Sequence, residues 1–425
     1  MNLKFIAFIL VGILWGSQLY AQEEISFLKK YSVEIAIDPA NENYTDLLEL
    51  KKYIGDSRIV LLGEQSHGDG TTFSTKVRLI KFFHEKMGFE VLAFENGFME
   101  CSLAWDQIKK GSSVESSLKN TIYPLWSRTQ EFAPLYPYIE KKVRSASPLI
   151  VTGFDPQLPN IAKTTRSEIL REFDAYLKSK NRGLGDSTIT QNFVYNFNSL
   201  ESNRQPYDSS IIKKMSFPLF KITLKKIVTD LTAGTEPEDI RWNLFFNSTL
   251  AYLPELVART KSLSEFHDSR VNGDELRDSV MAVNLMDIAR RLYPGKKIIV
   301  WAASSHISKN FSKNMGHFLE KRFPETIYTI GFTTSSGSFR QFTTNKNERL
   351  PEIKTGSFEH LFLQTDKQNF FMDLKTNSQT KKGKWLTDER IMRPFGYVDV
   401  SRDWTKNFDG IIFNKKMQPS HMVKY

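Results

Sequence analysis

The chain has 425 residues, with 58 lysines and arginines against 48 aspartates and glutamates, and a single cysteine. Its formal charge of +10 invites a nucleic-acid role, but the basic residues are dispersed, and short clusters such as Lys381-Lys382-Gly383-Lys384 stand near acids, so no nucleic-acid surface is expected. One cysteine excludes an internal disulfide, so the core must hold by packing, for which roughly four hundred residues are ample.

At the amino terminus Lys4 precedes an apolar run from Phe5 to Trp15. This is the basic n-region and apolar h-region of a secretory signal peptide, with cleavage expected after Ala21. The run is shorter than the ~20 residues a membrane helix needs, and nothing later in the chain is long and apolar enough to span a bilayer. The mature protein, residues 22–425, is therefore expected to be secreted or periplasmic, without membrane insertion once the signal is removed.

After a short helix and linker, residues 58–155 alternate strand, helix and strand, the grammar of βαβ units. Ile59-Val60-Leu61-Leu62 reads as a buried strand, followed by Gly63-Glu64-Gln65-Ser66-His67-Gly68 and an amphipathic stretch over 73–87. Val91-Leu92-Ala93-Phe94 ends at Glu95, and Leu149-Ile150-Val151-Thr152-Gly153-Phe154 ends at Asp155. Between these, Cys101 lies with Leu103, Ala104 and Trp105 on a helix and reads as a buried structural thiol. Residues 161–266 then change to polar, helix-period sequence, with helices expected over 211–232 and 240–261, a helical insertion packed beside or over the sheet.

The α/β pattern resumes at Asn272, which with Glu275 three residues on predicts a helix start. Met281, Leu285, Ile288 and Leu292 recur at helical spacing as its buried stripe, Arg277 and Asn284 project near that face, and Pro294-Gly295 stops it. A strand to Ala302 runs toward His306. A helix over 310–322, a strand over 326–332 and short C-terminal strands complete the sheet. The fold class expected is α/β, with a mainly parallel central sheet flanked by helices and carrying a large helical insertion.

Several of these strands end in an ionisable residue, and an open α/β sheet gathers such strand ends in space. The chain has no His-Glu-x-x-His zinc motif, no Gly-x-Ser-x-Gly nucleophile elbow and no phosphate-binding P-loop. Ser66 beside His67, and Ser304 and Ser305 beside His306, are weak evidence for a serine nucleophile, because adjacent residues on extended backbone point oppositely. What remains is two histidines, His67 and His306, and two glutamates, Glu64 and Glu95. A neutral imidazole held by a carboxylate deprotonates water near neutral pH. The same four side chains could instead ligate a catalytic metal, or grip a metal chelate, haem or glycan fragment without turning it over. Among the aromatic residues near these strand ends, Phe73 and Trp301 read as core, whereas Tyr123 and Trp126, in a proline-containing loop, are expected to form pocket wall.

Gly63-Glu64-x-x-His67-Gly68, the strand ending at Glu95, Gly153-x-Asp155, Arg277-Asp278-x-x-Met281-Ala282-x-Asn284, Val300-Trp301-Ala302-x-x-x-His306, Ile330-Gly331-Phe332 and Ser357-x-Glu359 occur in that order. Together they resemble the erythromycin esterase family over most of the mature chain. The resemblance implies an α/β core with a cleft against the helical insertion, and hydrolysis of a small-molecule ester or lactone by a His-activated water, with no metal or cofactor. It further implies His67 as general base, Glu64 and Glu95 orienting it or the water, and His306 polarising the carbonyl or stabilising its oxyanion, with added positive charge from Arg277. Lys76, Tyr123, Trp126, Asp155 and Glu359 complete the residues it places around the substrate, the two acids more as supports than as reacting groups. The family usually has histidine where this chain has Ala303, and arginine where it has Lys76. Lysine lacks the planar donor fork of arginine.

Overall fold

A computed structural model describes residues 22–158, 166–200, 216–260, 272–311, 313–322 and 327–423. The signal segment expected at residues 1–21 lies outside them. The strands are β1 (Val33–Glu34), β2 (Ile59–Leu62), β3 (Phe89–Gly97), β4 (Ile150–Asp155), β5 (Lys297–Trp301), β6 (Ile327–Arg340), β7 (Asn347–Arg349), β8 (Asn369–Asp373), β9 (Arg390–Phe395), β10 (Val398–Arg402) and β11 (Gly410–Met417).

Among the described residues, nine of these strands form one sheet in the order β1-β8-β11-β6-β2-β5-β3-β4, with β7 pairing with β6. From β11 to β4 every pairing is parallel, while β8 and β1 are added antiparallel at one edge. β9 and β10 form a separate antiparallel hairpin. β2 lies in the middle, and all four of its residues are buried. An all-apolar run is what a parallel strand covered on both faces requires. The helix Gly70–Met87 links β2 to β3 and ends on Gly88, whose φ of 70° supplies the left-handed residue that closes the helix. The sheet thus carries the mainly parallel, helix-flanked arrangement expected from the sequence.

Between β4 and β5 lies the helical insertion, with helices at Arg166–Ser179, Ser187–Ser199, Phe217–Thr232 and Pro237–Ala258. Ser216 caps the third of these by accepting from the amide of Leu219, and a proline opens the fourth. Its core is aromatic: Phe173 sits 4.5 Å from Phe246 and 4.9 Å from Trp242, centroid to centroid. The next helix, Gly273–Asp287, starts at Asn272, whose side chain accepts from the amide of Glu275. Met281 and Leu285 are buried along it, Ile288 is buried in the turn that follows, and Leu292 of the expected stripe is half-buried. This helix ties the insertion to the sheet: the Asn284 amide donates to Phe154 O at the end of β4 and to Ser248 Oγ on the insertion.

Of the insertion helices expected over 211–232 and 240–261, the first is seen as Phe217–Thr232 and the second as Pro237–Ala258, with residues 211–215 and 261 outside the described ones. Two further elements differ from expectation. The helix over 310–322 is confined to Met315–Arg322, because Asn314 accepts from the amide of His317 and caps it there. β6 runs on well past Phe332 to Arg340. Its polar continuation, Thr-Thr-Ser-Ser-Gly-Ser, reads as loop by composition. In the sheet, Thr334 and Ser335 instead satisfy their hydroxyls on the carbonyls of Asn414 and Lys415, which makes a polar strand affordable inside the fold. Cys101 is buried, as expected, and burial pushes its thiol pKa up.

Candidate active site

The carboxyl ends of β2, β3, β4 and β5 converge, and the loop after β2 is stitched to the loop after β5 by the Ser304 amide, which donates to Glu64 O at 2.8 Å. Glu64 is buried at the centre of one half of the site. Its Oε1 stands 2.8 Å from His67 Nδ1 and accepts from the Trp126 indole N–H at 2.8 Å, and its Oε2 accepts from Lys76 Nζ at 2.7 Å. A carboxylate at Nδ1 places the imidazole proton there, leaving Nε2 free to accept. The His67 side chain is 25 % exposed. Burial lowers the pKa of His67, but its hydrogen bond to Glu64 and the charges of Glu64 and Glu95 outweigh this, and it stands above the ordinary imidazole value.

Glu95 organises the other half. Its Oε1 accepts from Arg277 Nη2 at 3.0 Å and lies 3.3 Å from His306 Nε2, while its Oε2 accepts from the Ala303 amide at 3.0 Å. Burial opposes its ionisation, yet the charge and hydrogen bond of His306, with Arg277, hold it well below the usual carboxylate range. Arg277 also forks onto Asp155, through Nε at 3.2 Å and Nη2 at 2.5 Å. The charges of Asp155 and Glu95 overcome burial and keep the guanidinium firmly protonated.

His306 projects from the short helix Ser304–Ile307 just beyond β5. Its Nδ1 lies 2.8 Å from Asp278 Oδ1, which also accepts from the Met315 amide at 2.8 Å. Its Nε2 lies 3.2 Å from Arg277 Nη1, so a neutral ring would accept from the arginine and a charged ring would donate to Glu95. Burial and Arg277 disfavour the charged ring, but the charge of Glu95 and the bonds to Asp278 and Glu95 prevail and push its pKa up to about 10. The resting form is the imidazolium. By formal charge, four carboxylates at Glu64, Glu95, Asp155 and Asp278 face Lys76, Arg277 and the His306 imidazolium.

The structure brings together His67, Glu64, Glu95, His306, Arg277 and Asp155, but it corrects the positions of several residues expected to line the substrate. Lys76 is fully buried, bonded to Glu64 and to Ala302 O at 3.2 Å, with its ammonium 4.6 Å from the centroid of the Trp301 ring. It braces Glu64 from below, and burial lowers its pKa against that partner. Trp126 is likewise buried and acts through its N–H on Glu64. Glu95 orients His306, since both of its oxygens are engaged on that side. Glu359 is buried away from these groups, where Thr333 Oγ1 and the Arg393 amide donate to it and join β6 to β9. Tyr123 is half-buried, with its hydroxyl donating to Gln157 at 3.3 Å near the end of β4.

Three residues were not singled out from sequence. Asp278 was visible only as the neighbour of Arg277. Asp69, two positions past His67, is buried and accepts from the Ser66 amide at 2.8 Å and from the Tyr397 hydroxyl at 2.5 Å. Phe342 stands edge-on to His67, 5.4 Å between ring centroids, and no local pattern announces a contact across 275 residues (342 − 67). Among the described residues no three His, Cys, Asp or Glu side chains are placed to hold a metal ion.

A mixed α/β fold with two imidazoles, each beside a carboxylate near the ends of parallel strands, is an arrangement able to support proton transfer. Residues 84–417 match the family model for erythromycin esterase, and the chain belongs to the erythromycin esterase family. Erythromycin esterase type II of Escherichia coli is 39 % identical over 433 aligned positions, covering 93 % of this chain and 98 % of that protein. A Bacillus subtilis (strain 168) protein named as a hydrolase, YbfO, is 29 % identical, covering 91 % of this chain and 90 % of its own. Among solved structures, a succinoglycan biosynthesis protein superposes with a TM-score of 0.73 at 20 % identity, over 95 % of this chain and 98 % of that one. A mutant erythromycin esterase in its open conformation superposes with a TM-score of 0.66 at 17 % identity, over 93 % and 99 %. Both structures share the fold, and the resemblance read from the ordered motifs is borne out.

Proposed function

We propose that the chain is an exported hydrolase that cleaves a carboxylic ester or lactone with a water activated by His67. The observation that carries this is the Glu64–His67 pair: a buried carboxylate fixes Nδ1 and leaves Nε2 free, while the second imidazole lies between Glu95 and Asp278, which favour its cation. Nε2 of neutral His67 takes a proton from water, and the water oxygen attacks the carbonyl carbon. The His306 imidazolium and Arg277 stabilise the developing oxyanion. His67 then returns its proton to the alkoxide oxygen as the acyl–oxygen bond breaks, giving acid and alcohol, or the ring-opened hydroxy acid of a lactone. Glu64 stabilises the transient imidazolium, and Lys76 and Trp126 hold Glu64 in place.

Both oxygens of Glu64, Glu95 and Asp155, and Oδ1 of Asp278, are already engaged by nitrogen donors, which supports direct attack by water over attack by a metal-bound hydroxide. The name of the Escherichia coli relative points to a macrolide lactone as one substrate to examine. Export rests on the segment before residue 22. Turnover of an ester panel that includes a macrolide, by metal-stripped mature protein, tests the reading. Hydrolysis of one or more members is the expected result, and no hydrolysis of any of them would overturn it.

A further inference from the structure

Phe342 is 47 % exposed, yet it is held in place rather than left at the tip of a loose loop. It lies in the connection 341–346 between β6 and β7, which is closed by the Gln341 amide on Lys346 O at 2.8 Å and the Asn345 amide on Gln341 O at 2.7 Å. Arg340, itself buried, locks this hairpin to the His67 loop. Its amide donates to Gly68 O at 3.1 Å, its Nε to Ser420 Oγ at 3.0 Å and its Nη1 to Asn345 Oδ1 at 2.7 Å. The approach is close enough that a Cβ on Gly68 would stand 1.7 Å from Arg340 O, so only glycine fits there. The backbone leading into Phe342 and the backbone following His67 are therefore packed directly against each other.

The outcome is a large, half-exposed apolar ring placed at the solvent side of the candidate base. The buried Trp126 lies edge-on to the same imidazole at 5.5 Å, so Phe342 is not needed merely to give His67 an aromatic neighbour. A half-exposed phenylalanine fixed beside a reactive group gains when an apolar ligand covers it.

We propose that Phe342 is a specificity-determining residue that packs against the apolar body of the ester on the His67 side of the scissile bond. This rests on the ester-hydrolase reading given above. The test is steady-state kinetics over esters of one alcohol whose apolar acyl group grows stepwise, with wild type, Phe342→Ala and Phe342→Leu. Ile222→Ala serves as a control, since Ile222 is 63 % exposed on an insertion helix. The loss of kcat/KM in Phe342→Ala grows with the size of the acyl group and appears in KM, reaching roughly tenfold for the largest, the amount expected for covering about half a phenylalanine. Phe342→Leu recovers most of that loss, and Ile222→Ala follows wild type throughout. A loss that is equal for every ester and confined to kcat would mean that Phe342 only steadies His67, and would overturn the proposal. A wild-type protein that hydrolyses none of the series removes the ester-hydrolase reading itself and this inference with it.

Discussion

Replacing Asp278 with asparagine removes one charge from the His306 half of the site with little change of shape. Asp278 Oδ1 serves both His306 Nδ1 and the Met315 amide, each at 2.8 Å, and an asparagine oxygen can accept from both. The difference is the charge. A hydrogen bond to a charged partner contributes about 1 to 2 kcal/mol more than a neutral one, and about 1.4 kcal/mol corresponds to one pH unit. His306, pushed up to about 10 by its carboxylates, should therefore titrate roughly one unit lower in Asp278→Asn. Because the account needs His306 charged, the alkaline limb of kcat/KM should move down by the same amount, and the imidazole resonances of His306 followed by NMR should move with it. An alkaline limb that stays in place, or a wild-type His306 that titrates as an ordinary imidazole, would refute the charged-acid assignment.

Arg277→Met would leave Asp155 buried without its cation and Glu95 with His306 alone, so we expect a loss of stability of about 3 to 5 kcal/mol in urea unfolding; a loss within experimental error would mean that neither acid depends on the guanidinium. Asp69, buried between the Ser66 amide and the Tyr397 hydroxyl, has its pKa raised by burial to about 7, so its folded value lies above its unfolded one. The stability it contributes is complete below the ordinary aspartate value and is lost as pH rises through about 7, a change of about 4 kcal/mol at full ionisation. Asp69→Asn should lose less stability than wild type between pH 4 and 8, and equal slopes for the two proteins would contradict this.

Local chemistry explains what could be read directly. The all-apolar β2 and the Asn272 cap follow from short-range rules, and both lie where those rules place them. The acids and imidazoles at strand ends could be read because a parallel sheet gathers such ends whatever lies between them. Their pairing could not. Arg277 meets Glu95 across 182 residues and Asp155 across 122, and nothing near Arg277 in sequence states which carboxylates it will face. Lys76 was misplaced for a related reason. A lysine is ordinarily found at the surface, and the buried Glu64, the Ala302 carbonyl and the face of Trp301 make its interior position tolerable. Trp126 reads as an aromatic wall until its N–H is seen to end on Glu64. The polar half of β6 was hidden because hydroxyl-rich sequence resembles a loop unless carbonyls of a neighbouring strand are there to receive it.

The central claim is that the imidazole of His67 is the base, and chemical rescue tests it most directly. His67→Gly, shown by circular dichroism to be folded, should hydrolyse the substrate identified from the ester panel about 10²- to 10⁴-fold more slowly than wild type. Added imidazole should restore part of that rate, with a dependence on the neutral form of the added base. Hydrolysis that proceeds unchanged without His67 would contradict the account.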